Sequence, residues 1–280
     1  MKLTVLVDNN TLIDRYLLGE PGLAFLLQEG DRRVLFDCGY SRVLCHNAER
    51  LGIDLCDLDT VVLSHGHLDH TWGLAHLTSL YTERATENRP TPHPVLVAHP
   101  EALAPKCTAA GLPTGTLLSR EVLAEYMTVR LSAAPVPLTD RLLFLGEIPR
   151  VTDFETVPTE DRRRQTPAGL VPDTLPDDTA LAYRGADGLV IITGCAHAGI
   201  ANTVIQARKL TGETRVAAII GGLHLLDPAP ARLAATVDFL RQAGVAALYP
   251  CHCTSLAAKI ALGQAAPVHD VGVGLVLQLD

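Results

Sequence analysis

The order of strand and helix signals predicts an α+β chain built on β-sheets with helices packed outside. Strand signals dominate the first third, strands alternate with helices in the second half, and the strand-then-helix grammar occurs twice. Two sheets packed face to face satisfy that order, and so does a three-layer open sheet. At 280 residues the chain can bury a large core, as one big domain or two fused halves.

The elements follow in order. "KLTVLVD", "GLAFLLQEG" and "RRVLFDCG" read as strands, punctuated by Gly30, Asp31 and Gly39. Residues 41–52 carry apolar positions at helical spacing and end in Gly52. "DTVVLSHGH" is a short β-branched strand that runs into His65 and His67, and "GLAHLTSLY" after it is helical. The polar, Pro-containing stretch 82–94 reads as a loop, "HPVLVAHP" as a strand, and "EALAPKC" as the start of a helix. "RLLFLGEIPR" is a strand, and 157–178 is expected to be a long irregular loop, a kind that is usually functional. "ALAYRG" and "GLVIITGCAH" pair as a hairpin across "ADG". A helix at 199–211, the strand "VAAIIGGLH", a helix at 228–243, and the strands "AALYPCHC" and "VGVGLVLQLD" complete the chain.

Composition narrows the function classes. With 48% hydrophobic and 19% charged residues the chain is globular and not disordered. A net charge of −8 argues against nucleic acid or an anionic membrane as the main partner, whereas a small anionic ligand responds to local charge only. No run approaches the ~18 apolar residues of a membrane span, and the first residues lack the apolar stretch of a secretion signal. Seven cysteines in no framework spacing fit a reduced, cytoplasmic protein.

The chemistry concentrates in "SHGHLDH". A strand ending in His-x-His places the imidazoles of His65 and His67 on one side of an extended chain. Asp69 and His70 follow where the chain turns into a helix, and face the same point from another direction. Imidazole and carboxylate are ligands that zinc, iron and manganese accept. Three further strands end in such groups: Cys195 and His197, then His224, then His252. Sites are built at this edge of a sheet, so the strand ends point to one shared site with ligands enough for two metals.

"SHGHLDH" resembles the H-x-H-x-D-H signature of the metallo-β-lactamase superfamily. "LVDN", "VLFDCG", "PDDTAL", "IITGCAHAGIAN", "IIGGLHL" and "YPCHCT" occur in the order of one branch. That branch is similar to the dihydropterin-methyl-ribofuranosylaminobenzene-phosphate synthases and the metal-dependent hydrolases grouped with them. The resemblance implies a four-layer αββα sandwich of two similar halves, a single domain over 1–280. It implies His65 and His67 on a first metal, and Asp69, His70 and His252 on a second. Cys195 stands where most members carry a bridging Asp. The third ligand of the first metal is His197 or Asp178, with His197 favoured because imidazole restores the usual set. Asp37 matches the acidic residue behind the site, where it would orient a ligand histidine. Trp72 stands where the branch usually has Gly, and Pro21 where it often has His; the Trp72 ring is expected either to stack on a flat substrate or simply to pack.

Strand alternation puts Cys251 and Cys253 on the side opposite His252, as buried thiols. The amides opening the helix after His197 could hold a phosphate, and "DRRR" at 161–164 could reach an anion. His46, His76, His93, His99 and His269 receive no functional reading. The expected function is a metal-dependent hydrolase whose dinuclear site activates water against a small anionic or phosphorylated substrate. Asp69 would orient the water and His224 would donate to the substrate or leaving group. Zinc is the first choice of metal, with iron or manganese as alternatives. A synthase-like transferase and an iron-binding redox or sensor protein are the competing functions. The oligomeric state is left open.

Overall fold

The computed structural model describes residues 1–156 and 161–279. It opens with β1 (Lys2–Val7), β2 (Ala24–Glu29) and β3 (Arg32–Phe36). Then come α1 (Val43–Arg50), β4 (Thr60–Val62), α2 (Leu68–Thr71), α3 (Gly73–Thr86) and β5 (Val95–Ala98). They are followed by β6 (Lys106–Thr108), α4 (Arg120–Ala124), β7 (Thr128–Leu131), β8 (Val136–Pro137) and β9 (Leu142–Phe144). A hairpin of β10 (Arg162–Thr166) and β11 (Gly169–Pro172) precedes β12 (Ala180–Gly185) and β13 (Gly188–Thr193). The rest is α5 (Ile200–Thr211), β14 (Val216–Gly222), α6 (Pro230–Gln242), β15 (Leu248–Cys251), α7 (Leu256–Leu262) and β16 (Val276–Gln278).

The chain divides into two compact units. The first comprises Met1–Ser132, the described residues of 159–173, and Gly272–Gln278. Its seven-stranded sheet has the order β16-β1-β2-β3-β4-β5-β7. Pairing is antiparallel from β16 to β3 and parallel from β3 to β7. The parallel part needs helical crossovers, which α1 and the α2–α3 segment supply. Leu35, Val61 and Leu96 from the strands pack with Leu44 of α1 and with Leu74, Leu77 and Tyr81 of α3, all essentially inaccessible to solvent. Burying each such Leu is worth about 1.5–3 kcal/mol, so this face fixes the strand register. A small sheet, β11-β10-β6, belongs to the same unit.

The second unit comprises the described residues of 133–158, Thr174–Val271 and Leu279. Its sheet has the order β15-β14-β13-β12-β9-β8. The design repeats: antiparallel from β8 to β13, then parallel through β14 and β15 with α5 and α6 as crossovers. Ile191, Ile219 and Leu248 pack with Val204 of α5, Leu240 of α6 and Leu262 of α7.

Several expected elements differ. Residues 162–172, expected as irregular loop, form the β10–β11 hairpin, its register running from Arg163↔Pro172 to Thr166↔Gly169; residues 157–160 of that loop lie outside the described residues. Helix α3 continues to Thr86, past the expected loop start. "EALAPKC" becomes a short 3-10 turn (Pro100–Leu103) followed by β6, because Pro105 cannot continue a helix. Helices α4 and α7 were not anticipated; each is opened by a serine cap, Ser119 on the Val122 amide and Ser255 on the Ala258 amide.

Candidate metal centre

In both units the chemistry-bearing residues follow parallel strands. Asp37 follows β3, and His65, His67, Asp69 and His70 follow β4. Cys195 and His197 follow β13, His224 follows β14, and His252 follows β15. Positive φ gathers there as well: of the seven described non-glycine residues with positive φ, four, Asp37, Ala196, His224 and His252, lie at these strand ends with φ of 50–60°. Such conformations cost about 1–3 kcal/mol each and persist where the surroundings over-determine them.

In the first unit Asp37 organises the histidines. Its carboxylate is fully buried and accepts from the Ser64 amide (2.7 Å), the Ser64 hydroxyl (2.7 Å) and His70 Nδ1 (2.7 Å). Because Ser64 Oγ–H is spent on Asp37, the hydroxyl can only accept from His65 Nδ1, 2.9 Å away. Asp37 therefore fixes the proton on Nδ1 of His70 directly and of His65 through Ser64, so each turns an Nε2 lone pair away from this network. His65 Nε2 lies 2.9 Å from His67 Nδ1, and His70 Nε2 lies 3.6 Å from Asp69 Oδ2. The His65 ring centroid is 4.5 Å from that of His67 and 4.2 Å from that of His70. Gly66 permits the turn: a Cβ there would meet the Ala102 carbonyl at 2.1 Å.

The small sheet brings cations to this turn. Arg162 Nη1 lies 3.3 Å from His67 Nε2. Burial first, and the Arg162 guanidinium second, hold His67 well below the usual imidazole range, so it is neutral at neutral pH, as a metal ligand must be. Arg164, two residues further along β10, is engaged elsewhere, pairing with Glu101 at 2.6 Å. Lys106 pairs with Asp173 at 3.1 Å, both side chains buried.

In the second unit Cys195, His252 and Cys253 bring one donor atom each to within 4.8 Å of one another, all three residues buried. Cys253 Sγ accepts from the His224 amide at 3.2 Å, and the His197 and His224 rings lie 4.2 Å apart, centroid to centroid. Burial acts to raise the Cys253 thiol, but the contacts with Cys195 and His224 and the nearby imidazoles of His252 and His224 outweigh it and hold the thiol well below its ordinary range. Asp178 is buried, and its Oδ2 accepts from the Ala198 amide at 2.7 Å, bracing the turn that presents His197. Asp178 Oδ1 and His224 Nδ1 are buried with no hydrogen-bond partner among the described residues. Each unit thus carries donors of a kind that suits a divalent transition metal: imidazoles with preset tautomers in the first, and clustered thiols beside unsatisfied buried polar atoms in the second.

The profile of the metallo-β-lactamase superfamily matches residues 17–252. The chain belongs to this superfamily. A superfamily relative from Methanocaldococcus jannaschii, 7,8-dihydropterin-6-methyl-4-(β-D-ribofuranosyl)-aminobenzene-5'-phosphate synthase, is 32% identical over 86% of this chain and 83% of its own length. Among solved structures, Tm1679, described as a metal-dependent hydrolase of the β-lactamase superfamily, superposes with a TM-score of 0.84 at 28% identity, covering 99% of this chain and 98% of that one. The metallo-β-lactamase fold protein YhfI from Bacillus subtilis shares the fold, with a TM-score of 0.58 at 14% identity over 99% and 98% of the two chains. The fold is the metallo-β-lactamase fold, with two mixed sheets flanked by helices.

Some expectations need correction. Cys253 does not point away from His252, because the left-handed φ of 52° at His252 ends the alternation that β15 would otherwise carry forward. The amides opening α5 are not open to a phosphate: Glu155 accepts from the Ala201 and Asn202 amides at 2.9 Å each. Nothing in the sequence near α5 signalled that carboxylate, which lies 46 residues upstream of Ala201. Trp72, half-buried, donates its indole N–H to the Gly115 carbonyl at 2.8 Å and stacks on Tyr40. His99 caps the 3-10 turn by accepting from the Glu101 amide, and His269 stacks on Tyr249. A surface pocket of about 860 Å³ beside α1 and α3, lined by residues including Arg42, His46, Glu83 and Arg84, contains none of the strand-end ligands. No described helix is long and apolar enough to cross a membrane.

Proposed function

We propose that this superfamily member is a metal-dependent hydrolase that activates water against a small anionic or phosphorylated substrate. The observation that carries the reading is the histidine turn after β4, where buried imidazoles have their tautomers preset and an arginine stands beside them. The proposed ligands are His65, His67, Asp69, His70, Cys195, His252 and either His197 or Asp178, an assignment that rests on the motif order in the sequence. A divalent ion, zinc first, supplies Lewis acidity and lowers the pKa of water at such a centre. Asp69, whose carboxylate is partly exposed, orients the attacking water and accepts its proton. His224 donates to the leaving group. Arg162, whose Nη1 lies 3.3 Å from His67 Nε2, would bind the substrate's anionic group beside a metal held by His67.

The test is a panel of small phosphodiesters, phosphomonoesters and neutral esters or lactones, assayed with zinc, manganese or iron and with a chelator. Turnover should require metal, and Arg162→Ala should lose roughly 10- to 100-fold in kcat/KM on anionic substrates and little on neutral ones. Equal losses on both substrate classes would remove Arg162 from substrate recognition. The archaeal relative at 32% identity supports a second reading, a transferase that joins a pterin to an aminobenzene ribofuranosyl phosphate. Product formation from a dihydropterin bearing a leaving group on its 6-methyl carbon, displaced by the aminobenzene ribofuranosyl phosphate, with no hydrolysis across the panel, would decide for it.

A further inference from the structure

We propose that Cys253 is a second thiolate ligand, so that Cys195, His252 and Cys253 form a soft metal-binding set within the second unit. This rests on the metal-dependent reading above and deepens it by assigning the sulfur chemistry. The plain alternative is that Cys253 is a buried thiol serving only to fill space, as cysteines commonly do. Four observations weigh against that.

The donor atoms of Cys195, His252 and Cys253 all lie within 4.8 Å of one another, a spacing at which one ion can reach each. The chain turns left-handed at His252 to bring Cys253 there, a conformation that costs free energy and that space-filling alone does not require. The strand across from it makes room: a Cβ on Gly222 would lie 2.6 Å from Cys253 Sγ and 3.2 Å from His252 Cδ2, so only glycine leaves the thiol its position. The His224 amide donates to Cys253 Sγ at 3.2 Å, the kind of hydrogen bond that supports a metal-bound thiolate. Two sulfurs and an imidazole are borderline-soft donors, which favour zinc or ferrous iron over manganese or magnesium.

The experiment is X-ray absorption on the full-length protein reconstituted with zinc under reducing conditions, for wild type, Cys195→Ser, Cys253→Ser and the double variant. A sulfur shell at about 2.3 Å is expected in the wild type. It should weaken but persist in either single variant and vanish in the double. A sulfur shell that disappears entirely in Cys195→Ser overturns the assignment of Cys253. So does a disulfide between Cys195 and Cys253 in the zinc-loaded protein, found by peptide mapping. Zinc bound without any sulfur neighbour also overturns it, while the metal-dependent reading survives; failure of the wild type to bind zinc removes both. If circular dichroism shows the variants unfolded, the wild type decides alone: with two ions bound, two thiolates give about one sulfur per zinc, and one thiolate gives about half.

Discussion

After β4 the metal-type donors are imidazoles braced by hydrogen bonds; after β13 and β15 they are two thiols and an imidazole placed by backbone conformation. In the first region a single carboxylate, Asp37, reaches His70 directly and His65 through Ser64. In the second, the left-handed residues Ala196 and His252 aim the donors, and Gly222 leaves space for a sulfur. Both regions use the same scaffold, strand ends of a parallel βαβ segment. A side-chain brace writes itself into a local motif. A conformational brace does not, because a left-handed φ at an Ala or a His is held by the surrounding fold and not by a residue type that announces it.

That difference can be broken by experiment. The largest effect is expected from Asp37→Ala, which strips the brace from both histidines and leaves the Ser64 amide unsatisfied in a buried site. Metal affinity should fall roughly 10- to 100-fold, read by competition with a chromogenic chelator. Unchanged affinity would mean that His65 and His70 hold their orientation without Asp37.

Gly222→Ala probes the other brace. Its Cβ would meet the Gly194 carbonyl at 2.4 Å and the Cys253 sulfur at 2.6 Å. Overpacking of this kind costs about 1–3 kcal/mol, which chemical denaturation of the metal-free protein would register. A variant as stable as the wild type would show that this corner yields without strain.

The smallest effect concerns Asp178. Burial pushes its carboxyl up to about 7, against the pull of the Ala198 and His197 amides. The folded chain then binds this proton more tightly than the unfolded one, whose carboxyl titrates near about 4. In metal-free protein the stability linked to this group is present at low pH and is lost as pH rises from about 4 to about 7. Asp178→Asn should therefore show a smaller fall in Tm between about pH 5 and about pH 8 than the wild type. Identical profiles would place the proton elsewhere.

The two braces also set what could be read from the sequence. "SHGHLDH" was legible because strand alternation and a helix start act over six residues, and Asp37 was reached through the resemblance of "LFDCG". Cys253 is buried as its type suggests, but its side of the strand is not legible from alternation, because φ turns positive at His252. The β10–β11 hairpin was hidden by its composition: "RRRQT" has no apolar face, since both sides of that strand carry half-buried or exposed polar groups. Glu155 was invisible for a third reason. Its carboxylate meets the α5 amides only through the fold, and no local pattern couples residues so far apart.

The central claim is that these strand ends hold metal, and elemental analysis of the purified protein tests it most directly. Wild type should carry about two transition-metal ions per chain, and His67→Ala should lose metal together with all hydrolysis. A wild type that remains empty after reconstitution with zinc, iron or manganese, or a His67→Ala variant with full metal and full activity, would contradict it.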